Sequence, residues 1–600
     1  MHNDSSRREQ EVSLRPVTSD ADAERPWPPG PRLIPKIPPW WDKAWSALRL
    51  DFIGIVFATL FFALSVTPSL LPRDWLYQGL VSGIMAAAGY GIGVLLGWLT
   101  KKLVLPRIVL SPPLPNLLSG LKIGVVVVAI LTSILMLTFS AGWQRELEVV
   151  MGLEETATSA YLRTGGLSLL ISALIIMVSR LLRIWARWTA DEIGRRINIP
   201  GALATFLGGV VVGVLIITLV NGVLVRGFFA ASNLAFSGRN DADKPGVVQP
   251  EAPQRSGSPE SLIPWETLGR QGRAFAGGGL TAERLEQETG ENAIEPVRVY
   301  VGLETASSPE VQAALAVAEI ERAGAFDREV LVVATTTGTG WVNGTAAQAI
   351  ELMYRGDTAI VATQYSFLPS ALSFLGDREK VAESAITLFD AVHEAWAALP
   401  PRSRPDLLVY GESLGSQGSE AAFDGLADIR SKVDGALWVG PPHSNRIASQ
   451  LIQRRDPGSL ALAPRYADGL IVRFGASSEH LRDVDDQSWL SPRILYLRHP
   501  SDPVALWTPD LAFSRPDWLS EPRPPEVFPH MRWWPLVTLA QVSADLVNAN
   551  AAPVGFGHNY GSFVLDGWVA IAKPRGWTQE DTDATREILT RVVPDAMATP

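Results

Sequence analysis

The stretch Val409-Tyr410-Gly411-Glu412-Ser413-Leu414-Gly415-Ser416 runs an apolar strand straight into Gly-x-Ser-x-Gly, the sequence form of a sharp strand-to-helix turn that presents a serine hydroxyl. A side chain at 411 or 415 would collide with neighbouring backbone, so glycine there is a steric requirement. A serine hydroxyl is a weak nucleophile near neutral pH and needs a histidine base, itself oriented by a carboxylate. On such scaffolds the acid follows a late strand and the histidine comes near the chain end. Arg493 to Arg498 reads as that strand, and His499-Pro500-Ser501-Asp502-Pro503-Val504 leaves its carboxyl end, which makes Asp502 the expected acid. Gly555-Phe556-Gly557-His558-Asn559-Tyr560-Gly561 is a glycine-flanked turn that makes His558 the expected base. Among the seven histidines, His2 lies in a polar tail, His393 on a helical pattern, His480 in a charged loop and His530 among prolines and tryptophans. His443 and His499 follow strands and stay as rivals. Asp485, Asp486 and Asp510 compete with Asp502, but none directly follows a strand.

Acyl chemistry on a serine also needs two N–H groups to hold the oxyanion, one just after the nucleophile and one from the loop after an earlier strand. Leu414 supplies the first. Val330 to Ala334 is an apolar strand opening into Thr335-Thr336-Thr337-Gly338-Thr339-Gly340-Trp341, which places the second donor between Thr336 and Gly338, with Thr337 and Gly338 the leading candidates.

Strands and helices alternate around these residues. Strands are expected at 297–301, 330–334, 358–363, 407–410, 436–439 and 493–498, and helices at 313–323, 346–353, 378–399 and 417–426. That alternation makes βαβ units and a mostly parallel sheet with helices on both faces and its site at the carboxyl ends of the strands. Between Asp502 and His558 lie Trp507, Phe513, Trp518, Phe528, Trp533 and Trp534 among many prolines. This excursion reads either as a cap over the site or as aromatic packing that anchors a long loop; a cap would imply a substrate with an apolar portion.

The chain has 600 residues, 47% hydrophobic and only 19% charged, too many and too apolar for one soluble domain. Five apolar runs, Phe52 to Leu71, Leu76 to Leu99, Ile123 to Phe139, Leu167 to Leu182 and Leu203 to Val225, are read as membrane spans. Arg7, Arg8, Lys36, Lys43 and Arg49, then Lys101, Lys102 and Arg107, then Arg183, Arg187, Arg195 and Arg196 fall in alternate segments, while the intervening loops are weakly basic or acidic. By the positive-inside bias the N-terminus is cytoplasmic, and an odd number of spans puts the catalytic part outside, in a multi-pass protein of the cell membrane. Gly89, Gly93 and Gly97, and likewise Gly209 and Gly213, repeat at i+4 and are read as close packing within the bundle. The organisation expected is a polar tail at 1–46, a helical transmembrane domain of about five helices at 47–228, a flexible Pro/Gly/Ser-rich linker at 229–290 and the catalytic domain at 291–600.

Zero cysteines exclude disulfides and thiolate metal sites, and no His or Asp spacing suggests a metal. No glycine-rich phosphate motif calls for a cofactor, and a net charge of −10 argues against nucleic acid. The expected partners are the lipid bilayer and a lipid or acyl-ester substrate; oligomeric state is not legible.

The chain resembles a bacterial membrane-anchored α/β-hydrolase family, actinobacterial in type, in which a multi-helix membrane region precedes the hydrolase domain. The resemblance runs from about Ala47 to the C-terminus. It rests on Ser69-Leu70-Leu71-Pro72-Arg73-Asp74-Trp75, Thr336 to Trp341, Gly411 to Ser416 and Gly557 to Gly561. It implies a serine hydrolase and no particular substrate. The leading expectation is an integral-membrane esterase or lipase-like enzyme acting through Ser413, Asp502 and His558 on a lipid or acyl ester at the outer surface of the membrane. A cell-envelope acyltransferase would use the same three residues. A membrane protein with a non-enzymatic hydrolase-like binding domain is the third possibility, and it would have no need to keep all three.

Overall fold

The computed structural model describes residues 39–104, 115–154, 159–482 and 488–593. The tail before residue 39, Arg107, Glu155 and the rival acids Asp485 and Asp486 lie outside the described residues.

Seven strands form one sheet: β1 (Val297–Val301), β2 (Val330–Thr335), β3 (Thr358–Thr363), β4 (Asp406–Glu412), β5 (Gly435–Val439), β6 (Val472–Gly475) and β7 (Arg493–Leu497). Their order is β1-β3-β2-β4-β5-β7-β6 and every neighbouring pair is parallel. The strands are buried along almost their whole length rather than on alternate residues, because each is apolar on both sides and helices cover both faces. Helices Pro309–Arg322, Arg378–Ala398 and Leu414–Ala421 form one layer, and Gly344–Met353, Phe563–Ala572 and Gln579–Val592 form the other. Six strands match the sequence expectation. The seventh, β6, is a four-residue edge strand carrying Arg473, whose guanidinium lies 4.4 Å from the Trp489 ring centre.

The stretch expected to be a flexible linker is folded against the sheet. Ser256 N–H donates to Arg298 O (2.9 Å), Arg298 N–H to Gln254 O (3.1 Å) and Tyr300 N–H to Ser256 Oγ (3.0 Å). Residues 254–256 thereby occupy the outer edge of β1, satisfying backbone groups that an open edge would expose. Arg255 is buried and pairs with Glu295 at 2.6 Å. Composition alone reads such a segment as a tether, since its partners are backbone groups of a strand up to 44 residues away.

The N-terminal part consists of α1 (Pro39–Ala47), α2 (Phe52–Ser65), α3 (Trp75–Leu99), α4 (Pro115–Val150), α5 (Ser159–Ile197), α6 (Gly201–Ile217) and α7 (Arg226–Asn240). The last two are joined by π-helical turns over Thr218–Val225 into one 40-residue run. Among the described residues four helices are long and apolar enough to cross a membrane, or five if α1 and α2, bent by 78° to each other, count as one span. The first apolar run stops being helical at Ser65 instead of continuing to Leu71. At 1.5 Å per residue α2 is only about 21 Å long, short of a bilayer core of about 30 Å. Gly89 and Gly93 let α3 touch α2: an added Cβ would come within 2.4 Å of Phe57 O and 2.5 Å of Ile53 O. Gly209 and Gly213 meet nothing, because the packed face of α6 lies one residue away, at Gly208 against Ala190.

Candidate active site

The elbow forms as its residues demand. Ser413 stands between β4 and the Leu414–Ala421 helix at φ +53°, ψ −126°, a conformation that non-glycine residues adopt only when their surroundings enforce it. A Cβ at Gly411 would sit 2.5 Å from Gly415 O, and one at Gly415 would sit 2.4 Å from Thr335 O. Ser413 N–H donates to Val439 O at 2.8 Å, tying the strained residue to β5.

Asp502 heads the turn that leaves β7 and is fully buried. Its Oδ1 accepts the Val504 amide at 2.8 Å; its Oδ2 accepts His558 Nδ1 and the Tyr560 hydroxyl, both at 2.8 Å. Burial alone would raise this carboxyl, but His558 beside it and these hydrogen bonds hold it below the ordinary carboxylate range. Burial favours neutral His558, yet the Asp502 charge, its hydrogen bond and nearby Glu412 together raise the imidazole above its usual 6.5. His558 is 5% exposed and its Nε2 has no hydrogen-bond partner among the described residues. Ser413 and His558 line one cavity of about 200 Å³, together with Thr337, Trp341, Asn343, Glu412, Ser370, Asn550 and Val554.

The rivals resolve differently. His499 stacks on Tyr560 with ring centres 4.2 Å apart and bonds Gly557 O through Nδ1 at 3.1 Å. Burial pushes its imidazole down to about 4, so it is a neutral wedge behind Asp502. Neither His499 nor His443 lines the cavity, and Asp510 stands at an exposed turn.

Of the expected oxyanion donors, the Leu414 amide begins the elbow helix, where Ser416 and Gln417 donate to Ser413 O and Leu414 is left with no acceptor among the described residues. The Thr337 amide, in contrast, donates to Trp341 O at 3.1 Å and is occupied. Its hydroxyl is buried, without a partner among the described residues and on the cavity wall, so at this position the free donor is the side chain. Gly338 is pressed against Leu368 to Ser370, with an added Cβ 2.5 Å from Leu368 O, and its position reflects that close approach.

None of the six aromatics named above, between Asp502 and His558, lines the cavity. Trp518 and Phe528, with Leu506, Leu511 and Val527, bury Leu70 and Leu71 from the α2–α3 loop and Leu147 and Met151 from the end of α4. The excursion is therefore an anchoring core. Arg73 meets Asp545 at 2.8 Å, both side chains fully buried, and the Leu70 amide donates to Asp545 Oδ2 at 3.1 Å. Gln541 Nε2 donates to Ser65 O at 3.2 Å and Thr67 O at 2.8 Å. Leu71 also reaches the His558 turn: a Cβ at Gly557 would lie 3.2 Å from Leu71 Cδ2. Sequence reasoning missed this contact and the cavity-wall roles of Glu412 and Asn343. Arg73-Asp74 directly after an apolar run was the available signal.

The alpha/beta-hydrolase family matches residues 297–585, and the N-terminal region of the same family matches 66–279. The chain belongs to this α/β-hydrolase family. The second match means that the Ser69–Trp75 loop and the helices from α3 to α7 are part of the family's own architecture. No curated protein and no solved structure matches the chain.

Proposed function

We propose that this α/β-hydrolase is an integral-membrane serine hydrolase that cleaves acyl esters held in, or presented at, the outer surface of the bilayer. The observation that carries the reading is His558: Nδ1 is committed to Asp502, while buried Nε2 is left without a partner in the cavity that Ser413 lines. In this reading His558 Nε2 takes the Ser413 hydroxyl proton as Oγ attacks the ester carbonyl. The Leu414 N–H and the Thr337 hydroxyl hold the oxyanion. Collapse expels the alcohol, which takes the proton from His558, and leaves an acyl group on Ser413. Water, deprotonated by the same imidazole, then releases the carboxylic acid and restores the serine.

The membrane part of the reading is supported by how the cavity walls are fastened. Ser370 belongs to helix Ser370–Gly376, and Phe229 of α7 packs against Gly376. Asn550 belongs to the segment continuing helix Val537–Asp545, which packs on α2 and α3. A site held between two contacts with apolar helices is suited to substrate arriving from the lipid phase. The loop charges orient the hydrolase domain outward.

The test is fatty-acid release by the full chain reconstituted in phosphatidylcholine vesicles doped with monoacylglycerol. Release that disappears in Ser413→Ala supports the reading. Equal release by Ser413→Ala overturns it, and faster turnover of water-soluble acetyl esters than of vesicle-held esters overturns its lipid part.

A further inference from the structure

At the end of the helical bundle far from the hydrolase domain, a second cavity of about 430 Å³ opens between the start of α2, the C-terminal part of α3 and α5. Four arginines line it: Arg49 from the α1–α2 bend, and Arg180, Arg183 and Arg187 from α5. The last three recur at i, i+3 and i+7 and so share one face of the helix. Arg180 Nη2 donates to Arg49 O at 3.1 Å and to the Tyr90 hydroxyl at 3.5 Å, which draws the two segments together. The Tyr90 hydroxyl also accepts the Asp51 amide at 3.1 Å.

The charge in this cavity is not balanced. Among the described residues none of the four guanidiniums forms an ion pair with a carboxylate, whereas Arg195 and Arg196, further along the same helix, both pair with Glu192. Asp51, the one carboxylate on the wall, is engaged as the N-cap of α2, accepting the Gly54 amide at 2.9 Å. Among the described residues Arg183 bonds only Ser179, its neighbour one turn back. A general excess of positive charge at helix ends would scatter arginines around the helix. Here they converge on one cavity from segments 131 residues apart. Planar guanidinium forks match phosphate oxygens in pairs, and an anion among four of them relieves their mutual repulsion. Exposed Ile184 adds apolar surface to the cavity wall.

We infer that this cavity binds a phosphate group, of an anionic lipid headgroup or of free phosphate, at the bundle end opposite the hydrolase. The site rests on the membrane reading for where its ligand would lie, and is independent of the chemistry at Ser413.

The test uses the purified full chain in neutral detergent, with the thermal-unfolding midpoint read against dihexanoyl phosphatidic acid, dihexanoyl phosphatidylcholine and inorganic phosphate. Phosphatidic acid should raise the midpoint and bind about tenfold or more tightly than phosphatidylcholine. In the triple variant Arg180→Lys, Arg183→Lys, Arg187→Lys the positive charge that orients the helix is kept and the forks are lost, so binding should weaken about tenfold. Competition by inorganic phosphate identifies free phosphate as the source; no competition identifies the lipid headgroup. Equal response to both lipids, or undiminished binding by the lysine variant, overturns the site. Should the triple variant not fold, Arg187→Lys alone replaces it and should weaken binding several-fold; unchanged binding then overturns the site. Ser413→Ala should bind phosphatidic acid as the parent does, so a failed hydrolase reading leaves this result intact.

Discussion

Replacing Arg73 by Met should unfasten the hydrolase domain from the bundle. The Arg73 and Asp545 side chains meet at 2.8 Å with no exposure to solvent. Removing the cation leaves the Asp545 carboxyl buried with the Ser69 hydroxyl and the Leu70 amide, the latter at 3.1 Å, as its remaining partners in that loop. Breaking one half of a buried pair costs about 3–5 kcal/mol, set against about 5–15 kcal/mol for a whole domain. Replacing both residues with apolar ones of similar size, Arg73→Met with Asp545→Leu, should recover most of that loss, since no charge is then stranded. The assay is the temperature at which each variant, in the same detergent, loses fluorophosphonate labelling. Because Leu71 of the same loop packs under the His558 turn, labelling should fail before the sheet unfolds. A single variant within about 0.5 kcal/mol of the parent, or a double variant no better than the single, would refute the reasoning.

His558 must be neutral to act as a base, and Asp502 and Glu412 hold its imidazole above 6.5; the rate should therefore fall as pH drops through a value above 6.5. Glu412→Gln removes one of the charges that raise the imidazole, so the acid limb of kcat/KM should move to lower pH, and an unmoved limb would count against a charged Glu412. Gly415→Ala should destabilise the elbow and lower labelling by at least tenfold. The helix gain of roughly 1 kcal/mol for alanine is outweighed by a Cβ 2.4 Å from Thr335 O, and undiminished labelling would argue against the elbow geometry. With no native cysteine, Ser46→Cys and Ser403→Cys, both at exposed positions, report topology to an impermeant maleimide on intact cells. Ser403→Cys should label and Ser46→Cys should not; the reverse pattern would place the hydrolase inside.

The central strands were legible because a parallel strand covered on both faces must be apolar throughout, and β2, β4, β5 and β7 meet that condition. The elbow was legible because its two glycines answer a local collision. The pairing of Asp502 with His558 was within reach because each sits in a short turn whose place in the chain follows from the sheet. What escaped was non-local. β6 has four residues and an arginine, and its pairing depends on β7. The segment 254–256 reads as linker until the edge of β1 is known. The end of α2 and the entry of Leu70, Leu71 and Arg73 into the hydrolase depend on Asp545, some 470 residues later in the chain. The Thr337 amide was a reasonable oxyanion donor from position alone, and only the loop's closure onto Trp341 O shows that it is occupied.

The most direct test of the central claim is to label the full chain in membranes with a fluorophosphonate and identify the modified residue by peptide mass spectrometry. The proposed mechanism requires one adduct, on Ser413, abolished in Ser413→Ala, reduced by about 10⁴-fold or more in rate in His558→Ala, and formed faster as pH rises through the His558 titration. An adduct on another residue, or labelling that survives in Ser413→Ala, would contradict it.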